Sequence, residues 1–315
     1  MQQPVFLEPV FQERIWGGTA LRDRFGYSIP SEHTGECWAI SAHPHGQSTV
    51  REGPYQGLTL GELWEKHREL FGDFPGETFP LLTKILDANA DLSVQVHPDD
   101  DYARIHEEGE QGKTECWYII DCREGAELIF GHHAGTKQEL KEMIDQGRWS
   151  DLLRRIKIRP GDFLYVPSGT VHALCAGTLV LETQQSSDTT YRVYDYDRTD
   201  DRGNNRELHI DKALDVITVP HCPINPDQTI RRHDGLEVTT FVNSDYFTVY
   251  RWKLDGNAAV KQDHPFTLVS VIDGEAELKT EAGLFPCRKG DHMIWPSDLR
   301  TFQLEGRAEF ILSHP

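Results

Sequence analysis

The chain has 315 residues, 38% of them hydrophobic, with 14 Phe, 10 Tyr and 7 Trp; that is enough apolar mass for one or two packed domains and excludes wholesale disorder. Its 32 basic and 51 acidic residues leave a formal charge of −19, which excludes a general binder of nucleic acid or of anionic membranes. A small anionic substrate held by a few local Arg and Lys side chains remains compatible with that field. No apolar run approaches the ~18 residues of a membrane span, residues 1–6 carry neither a basic nor an apolar leader segment, and the six cysteines form no CxxC. These features point to reduced thiols in a cytoplasmic protein.

In chain order, Thr59-Leu60-Gly61-Glu62 forms a capping box and opens a helix carrying Leu60, Leu63, Trp64, His67 and Leu70 at a spacing of three to four. Short strands are predicted at 92–96, 116–120 and 127–129. A second capping box, Thr136 to Glu139, opens a helix with Leu140, Met143 and Ile144, followed by a further turn at 149–153. Strands follow at 163–166 and 179–183, a third short helix at 209–217, and strands at 246–252, 267–272 and 310–312. Short strands punctuated by Gly, Pro and Asp predict a mainly β fold, a sandwich or jelly roll, and argue against a parallel α/β sheet. The helices read as packing elements against the β core.

The sequence repeats itself. Ile119-Ile120-Asp121 with Gly125 to Leu128 resembles Val271-Ile272-Asp273 with Gly274 to Leu278, and Gly161 to Ser168 resembles Gly290 to Ser297. The offset is 152 residues at the first block and 129 at the second, and the difference matches the helical stretch 135–157. Two β units are therefore expected, one carrying a helical insertion, with a division into residues 1–240 and 241–315.

A potential metal site lies in the first unit. Gly161-x5-Pro167-x-Gly169-x2-His172 places a histidine on the strand that leaves a tight turn. This motif resembles the second sequence motif of the cupin superfamily, with Ala176 in place of its terminal Asn, and two cupin-like jelly-roll units are what the resemblance implies. Upstream, Gln95-Val96-His97 puts two donors at i and i+2 on one strand face, and Lys113-Thr114-Glu115 does the same with a cation and a carboxylate. His97, Glu115 and His172, with Gln95 as a fourth donor, suit a catalytic Zn²⁺ with an open position or a non-haem Fe²⁺ triad. The second unit has Thr267 for Glu115, Thr301 for His172 and Asp298 for Gly169, so one metal per chain is expected. His43 and His45 share the HxH spacing but flank Pro44, which disfavours a central strand. His132 and His133 are expected at the surface and His106 in solvent.

Over nearly the whole chain these residues resemble the type I mannose-6-phosphate isomerases of the short bacterial kind. The matching pieces are Trp16-Gly17-Gly18, Gly35 to Trp38, Gln95 to Pro98, Lys113 to Glu115, the 161–172 turn, and Glu182 through Ser187-Asp188-Thr189-Thr190-Tyr191-Arg192. The resemblance implies one zinc held by Gln95, His97, Glu115 and His172, an active-site arginine at Arg192, and interconversion of mannose 6-phosphate and fructose 6-phosphate. Two departures stand out: Thr114 replaces a proline of the longer members, and their large helical domain is reduced here to short helices.

Moving a proton between C1 and C2 through an enediolate needs an electrophile at the oxygens, a base at carbon and a grip on phosphate. Lys113 and Arg192 supply cations, Glu182 is the expected carbon base, and Trp16, Lys113 and Arg192 are the expected substrate contacts. Rival readings are a cupin-type Fe(II) dioxygenase, a non-catalytic sugar-phosphate-binding cupin and an isomerase of glucose 6-phosphate. The sequence gives no oligomeric state.

Overall fold

Runs of β-branched and aromatic residues fold into three antiparallel sheets in the computed structural model, which describes residues 2–199 and 203–315. A six-stranded sheet runs in the order Phe163–Val166, Glu115–Cys122, Thr178–Gln185, Leu81–Ala88, Thr34–Ile40 and Val10–Gly18. A five-stranded sheet runs Tyr191–Tyr194, Val94–Val96, His172–Leu174, Glu127–His132 and Leu153–Lys157. From Leu81–Ala88 onward the chain crosses repeatedly between the two, and Trp117, Ile119 and Val180 of one sheet bury against Leu128, Phe130 and Leu174 of the other. This is the mainly β, cupin-type sandwich expected. The helices Lys137–Asp145 and Ile210–Val216 cover the far side of the five-stranded sheet with Leu140, Met143, Ile144 and Ala213.

The second unit is a nine-stranded sheet that reaches back to the start of the chain. Its order is Thr229–His233, Leu236–Asn243, Thr248–Lys261, Thr301–His314, Thr267–Thr280, His292–Trp295, Val5–Glu8 and Thr49–Val50, with Gly283–Arg288 paired to Thr267–Thr280. Leu236–Asn243 runs across residue 240, and Val5–Glu8 adds an N-terminal strand to His292–Trp295. Three of its strands have 14 residues, far longer than the short segments predicted at 246–252, 267–272 and 310–312. Gly256, Gly274 and Gly306 have positive φ and bend the ladder without ending it, and Gly256 pairs directly with Gly306.

The internal repeat is structural. Val166 pairs with Glu115 in the first unit, and Trp295 pairs with Thr267 in the second. The Gly-Asp turns match as well: Gly161 N–H donates to the Ile119 carbonyl at 2.8 Å, and Gly290 N–H to that of Val271 at 2.9 Å. Both glycines have φ near +90°, a conformation that favours Gly.

A helical wedge joins the units. The Thr59 capping box starts helix Leu60–Lys66, and Trp64, Phe71, Phe79 and Phe266 pack edge-to-face or tilted with ring centroids 5.0–6.2 Å apart. Leu7, from the borrowed N-terminal strand, lies in the same cluster. Leu7→Ala is expected to cost about 2–5 kcal/mol, read as a lower denaturation midpoint; an unchanged midpoint would mean that the borrowed strand does not hold the sheet.

Candidate metal centre

The donors come from both sheets of the first unit. Gln95 pairs in register with His172 on one side and with Arg192 on the other, so three of the predicted side chains start shoulder to shoulder. His97 follows just past the strand Val94–Val96. Glu115 enters from the opposite sheet, between Val166 and Gln184. The turn before His172 is tied to His97 itself, because Gly169 N–H donates to the His97 carbonyl at 2.9 Å. Gly169 has φ +80°, and a Cβ there would stand 2.5 Å from Thr218 Oγ1, which is why the motif demands glycine.

His97, Glu115 and His172 are fully buried and bring their ligand atoms within 4.8 Å of one another, the one such His/Cys/Asp/Glu group among the described residues. Both rings are fixed from behind: His97 Nδ1 faces the Thr189 carbonyl and His172 Nδ1 that of Thr170, each at 2.9 Å. A carbonyl only accepts, so each Nδ1 carries the proton and each Nε2 lone pair points inward. His97 Nε2 stands 3.4 Å and His172 Nε2 3.2 Å from the Glu115 carboxylate. Neither oxygen of that carboxylate accepts a hydrogen bond, although Lys113 Nζ pairs with it at 3.0 Å. The Gln95 amide nitrogen donates to His172 Nε2 and the Lys113 ammonium to His97 Nε2, each at 3.3 Å. Two imidazole lone pairs, an orphaned buried carboxylate and an amide form a donor set that fits a divalent cation such as zinc.

The electrostatics follow from burial. Burial alone would raise the Glu115 carboxyl, but the Lys113 ammonium and the two imidazoles hold it well below the usual carboxylate range. Burial and then the Lys113 charge push His97 down to about 3, and burial likewise lowers His172. Lys113 stays protonated because Glu115 and Glu182 outweigh its burial. Glu182 is pushed up to about 7, first by burial and then by the like charge of Glu115. Its Oε2 accepts from Trp117 Nε1 at 2.8 Å.

A cavity of about 270 Å³ opens in front of the donors. Gln95, Lys113, Glu182, Trp16 and Arg192 all line it, whereas His97, Glu115 and His172 lie behind its wall. Sequence reasoning missed three further cationic side chains that line it. Arg14 grips Glu36 through two bonds of 3.0 and 3.1 Å; Lys84 stands 3.9 Å from Asp188 and 4.5 Å from the Trp38 ring centroid; Arg206 is held by Asp195 through bonds of 2.8 and 2.6 Å. Only Glu36 and Asp188 sat in quoted motifs; Lys84 looked like one more strand residue. Five cations line this cavity against three carboxylates, a local reversal of the acidic whole. Arg192 bonds Ser93 Oγ and the Glu207 carbonyl, and among the described residues it has no carboxylate partner. Burial and the neighbouring Arg206 charge lower its pKa.

Other expectations are corrected or placed. His132, expected at the surface, is buried with Nε2 against the Thr218 carbonyl at 3.0 Å, because the helices cover that sheet face. His43 is buried edge-on to Trp38, outside the donor cluster, and His106 stacks on Tyr102 in the open. Thr114 departs from proline for a visible reason: its N–H donates to Gln185 Oε1 at 2.8 Å, a bond proline lacks. Thr301, the counterpart of His172, is exposed. Among the described residues no helix is long and apolar enough to cross a membrane.

Comparison with known proteins decides the family. The model for the phosphomannose isomerase type I catalytic domain matches residues 5–125, and that for the mannose-6-phosphate isomerase cupin domain matches 237–315. Mannose-6-phosphate isomerase ManA of Bacillus subtilis is 59% identical over 312 residues, 99% of each chain. The chain belongs to the type I phosphomannose isomerase family. The mannose-6-phosphate isomerase of Streptococcus mutans is 53% identical over 314 residues, 100% of this chain and 99% of that one. The crystal structure of the mannose 6-phosphate isomerase from Bacillus subtilis superposes with a TM-score of 0.98 at 60% identity, covering both chains fully. A zinc-bound mannose 6-phosphate isomerase shares the fold at a TM-score of 0.81 and 16% identity.

In this phosphomannose isomerase family member the depressed histidines make stability pH-dependent. His97, at about 3 folded, and His292, at about 4, bind protons more readily when unfolded, where imidazole titrates near 6.5. Their contribution is therefore full above about pH 6.5 and is lost as pH falls toward 4 and then 3. Chelated protein is expected to lose unfolding free energy over that window, and His292→Gln to flatten the slope; a flat profile from pH 7 to 4 would contradict the buried neutral imidazoles.

Proposed function

We propose that the chain is a zinc-dependent mannose-6-phosphate isomerase, acting on the substrate named for its relatives. The observation that carries this reading is the inward-facing set of Gln95, His97, Glu115 and His172 beneath a cationic cavity. When bound by these four residues, zinc supplies Lewis-acid polarisation of the sugar carbonyl and stabilises negative charge at O1 and O2.

The chain's own groups do the rest. Arg192, without a carboxylate partner among the described residues and next to Arg206, takes the phosphate through charge-assisted bonds and sets the distance of C1 and C2 from the donors. Glu182, with a pKa near 7, accepts the proton from C2 of the aldose and returns it to C1 through the enediolate, while the O2 hydroxyl proton passes to O1. The Trp117 bond fixes its carboxylate, so the reacting oxygen does not swing. Lys113 remains an ammonium and adds positive charge near the developing oxyanion. Trp16 closes the side of the cavity: its ring lies against Gly35, where a Cβ would stand 2.7 Å from it.

Phosphate binding and proton transfer separate in kinetics. Arg192→Ala is expected to lower kcat/KM about 10²-fold or more, chiefly through KM, with metal content intact; a loss confined to kcat would move Arg192 to the enediolate oxygens. Glu182→Gln is expected to slow both isomerisation and solvent exchange at C2 by about 10²–10⁴-fold, and normal exchange would remove it as the base. The assay of fructose 6-phosphate formation tests the function as a whole. Turnover that requires oxygen, or the absence of turnover in zinc-loaded protein, would overturn it.

A further inference from the structure

The turn at Gly169 carries both histidine donors. Gly169 N–H donates to the His97 carbonyl at 2.9 Å, and the next residue, Thr170, offers its own carbonyl to His172 Nδ1 at 2.9 Å. One short turn therefore holds the backbone behind one imidazole and aims the ring of the other. What holds the turn lies outside the donor set. The Gly169 carbonyl accepts from Thr218 N–H at 2.9 Å, and the Thr218 carbonyl in turn faces His132 Nε2 at 3.0 Å.

Thr218 is exposed and lies just past the helix Ile210–Val216, whereas His132 is buried at the end of the strand Glu127–His132. Burial lowers the His132 pKa, so the ring is neutral and carries one N–H. A carbonyl only accepts, so that proton sits on Nε2 and is spent on Thr218. The segment from Thr218 to His221 is seated closely on the sheet at two glycines. A Cβ at Gly169 would stand 2.5 Å from Thr218 Oγ1, and one at Gly131 would stand 2.3 Å from the His221 ring. Gly131 N–H also donates to the Val171 carbonyl at 2.7 Å, between Thr170 and His172.

We infer that His132 is a positioning residue of the metal centre: it pins Thr218, Thr218 clamps the Gly169 turn, and the turn sets the placement of His97 and His172. The links act in series, so cutting any one of them frees the same turn. An apolar side chain of similar size fills the same volume, and what His132 alone supplies is the N–H.

The test measures zinc affinity of the full chain by competition with a chromogenic chelator, alongside the melting temperature. His132→Leu deletes the N–H and should weaken zinc binding about tenfold, whereas His132→Gln, whose amide nitrogen replaces Nε2, should stay within about twofold of the parent. Thr218→Pro deletes the second link at an exposed position, where the extended Ile217 (φ −61°, ψ 127°) accommodates a following proline. It should match the loss in His132→Leu, and the double variant should lose no more than either single. If His132→Leu does not fold, the pair His132→Gln and Thr218→Pro decides. Parental affinity in Thr218→Pro, an equal loss in His132→Gln, or additive losses in the double variant would overturn the inference. It rests on the metal centre of the proposed isomerase, but no sugar enters the measurement. A chain that binds zinc through this turn and turns over no sugar phosphate would contradict the proposed function and leave the role of His132 standing.

Discussion

The Glu115 carboxylate, ionised in the middle of a dry sandwich, constrains the rest of the structure. An isolated buried charge of this kind is prohibitive, and a single ion pair seldom offsets its desolvation. Lys113 supplies one partner at 3.0 Å, yet both oxygens still lack hydrogen bonds, and two imidazole lone pairs are held facing them by the carbonyls of Thr170 and Thr189. Two imidazole lone pairs and a carboxylate converge, with the Lys113 ammonium and the Gln95 amide nitrogen at their edge, and a divalent cation satisfies that arrangement. Holding it requires both sheets, since Glu115 belongs to one and His172 to the other, and it requires the Gly169 turn that ties His97 to the following strand.

Much of this was legible in sequence, for reasons of period and geometry. A spacing of two on a strand puts Gln95 with His97, and Lys113 with Glu115, on common faces, and the Gly161 to His172 turn has too few backbone solutions to hide. The repeat was readable because each Gly-Asp turn needs the same left-handed glycine. What escaped was set by tertiary context. His132 alternates with His133 as a surface pair would, and only the covering helices bury it. The long C-terminal strands run past the expected short segments because Gly256, Gly274 and Gly306 bend the ladder without ending it. Lys84 and Arg206 reach the cavity from positions that no local pattern distinguishes.

The two units show one β framework adapted in two directions. The strand pairing Val166 with Glu115 recurs as Trp295 with Thr267, and where the first copy has Glu115, Gly169 and His172 the second has Thr267, Asp298 and Thr301. The units are also not independent bodies: the borrowed strand Val5–Glu8 and the Trp64–Phe266 cluster knit them, so the cationic cavity sits in a frame braced from the far side.

The most direct measurement is anomalous diffraction at the zinc edge from crystals of the chain loaded with one equivalent of zinc. A single peak is predicted about 2.0–2.2 Å from His97 Nε2, His172 Nε2 and a Glu115 oxygen, with the Gln95 side chain completing the sphere. Catalytically active crystals with the peak elsewhere, or with none, would contradict the account.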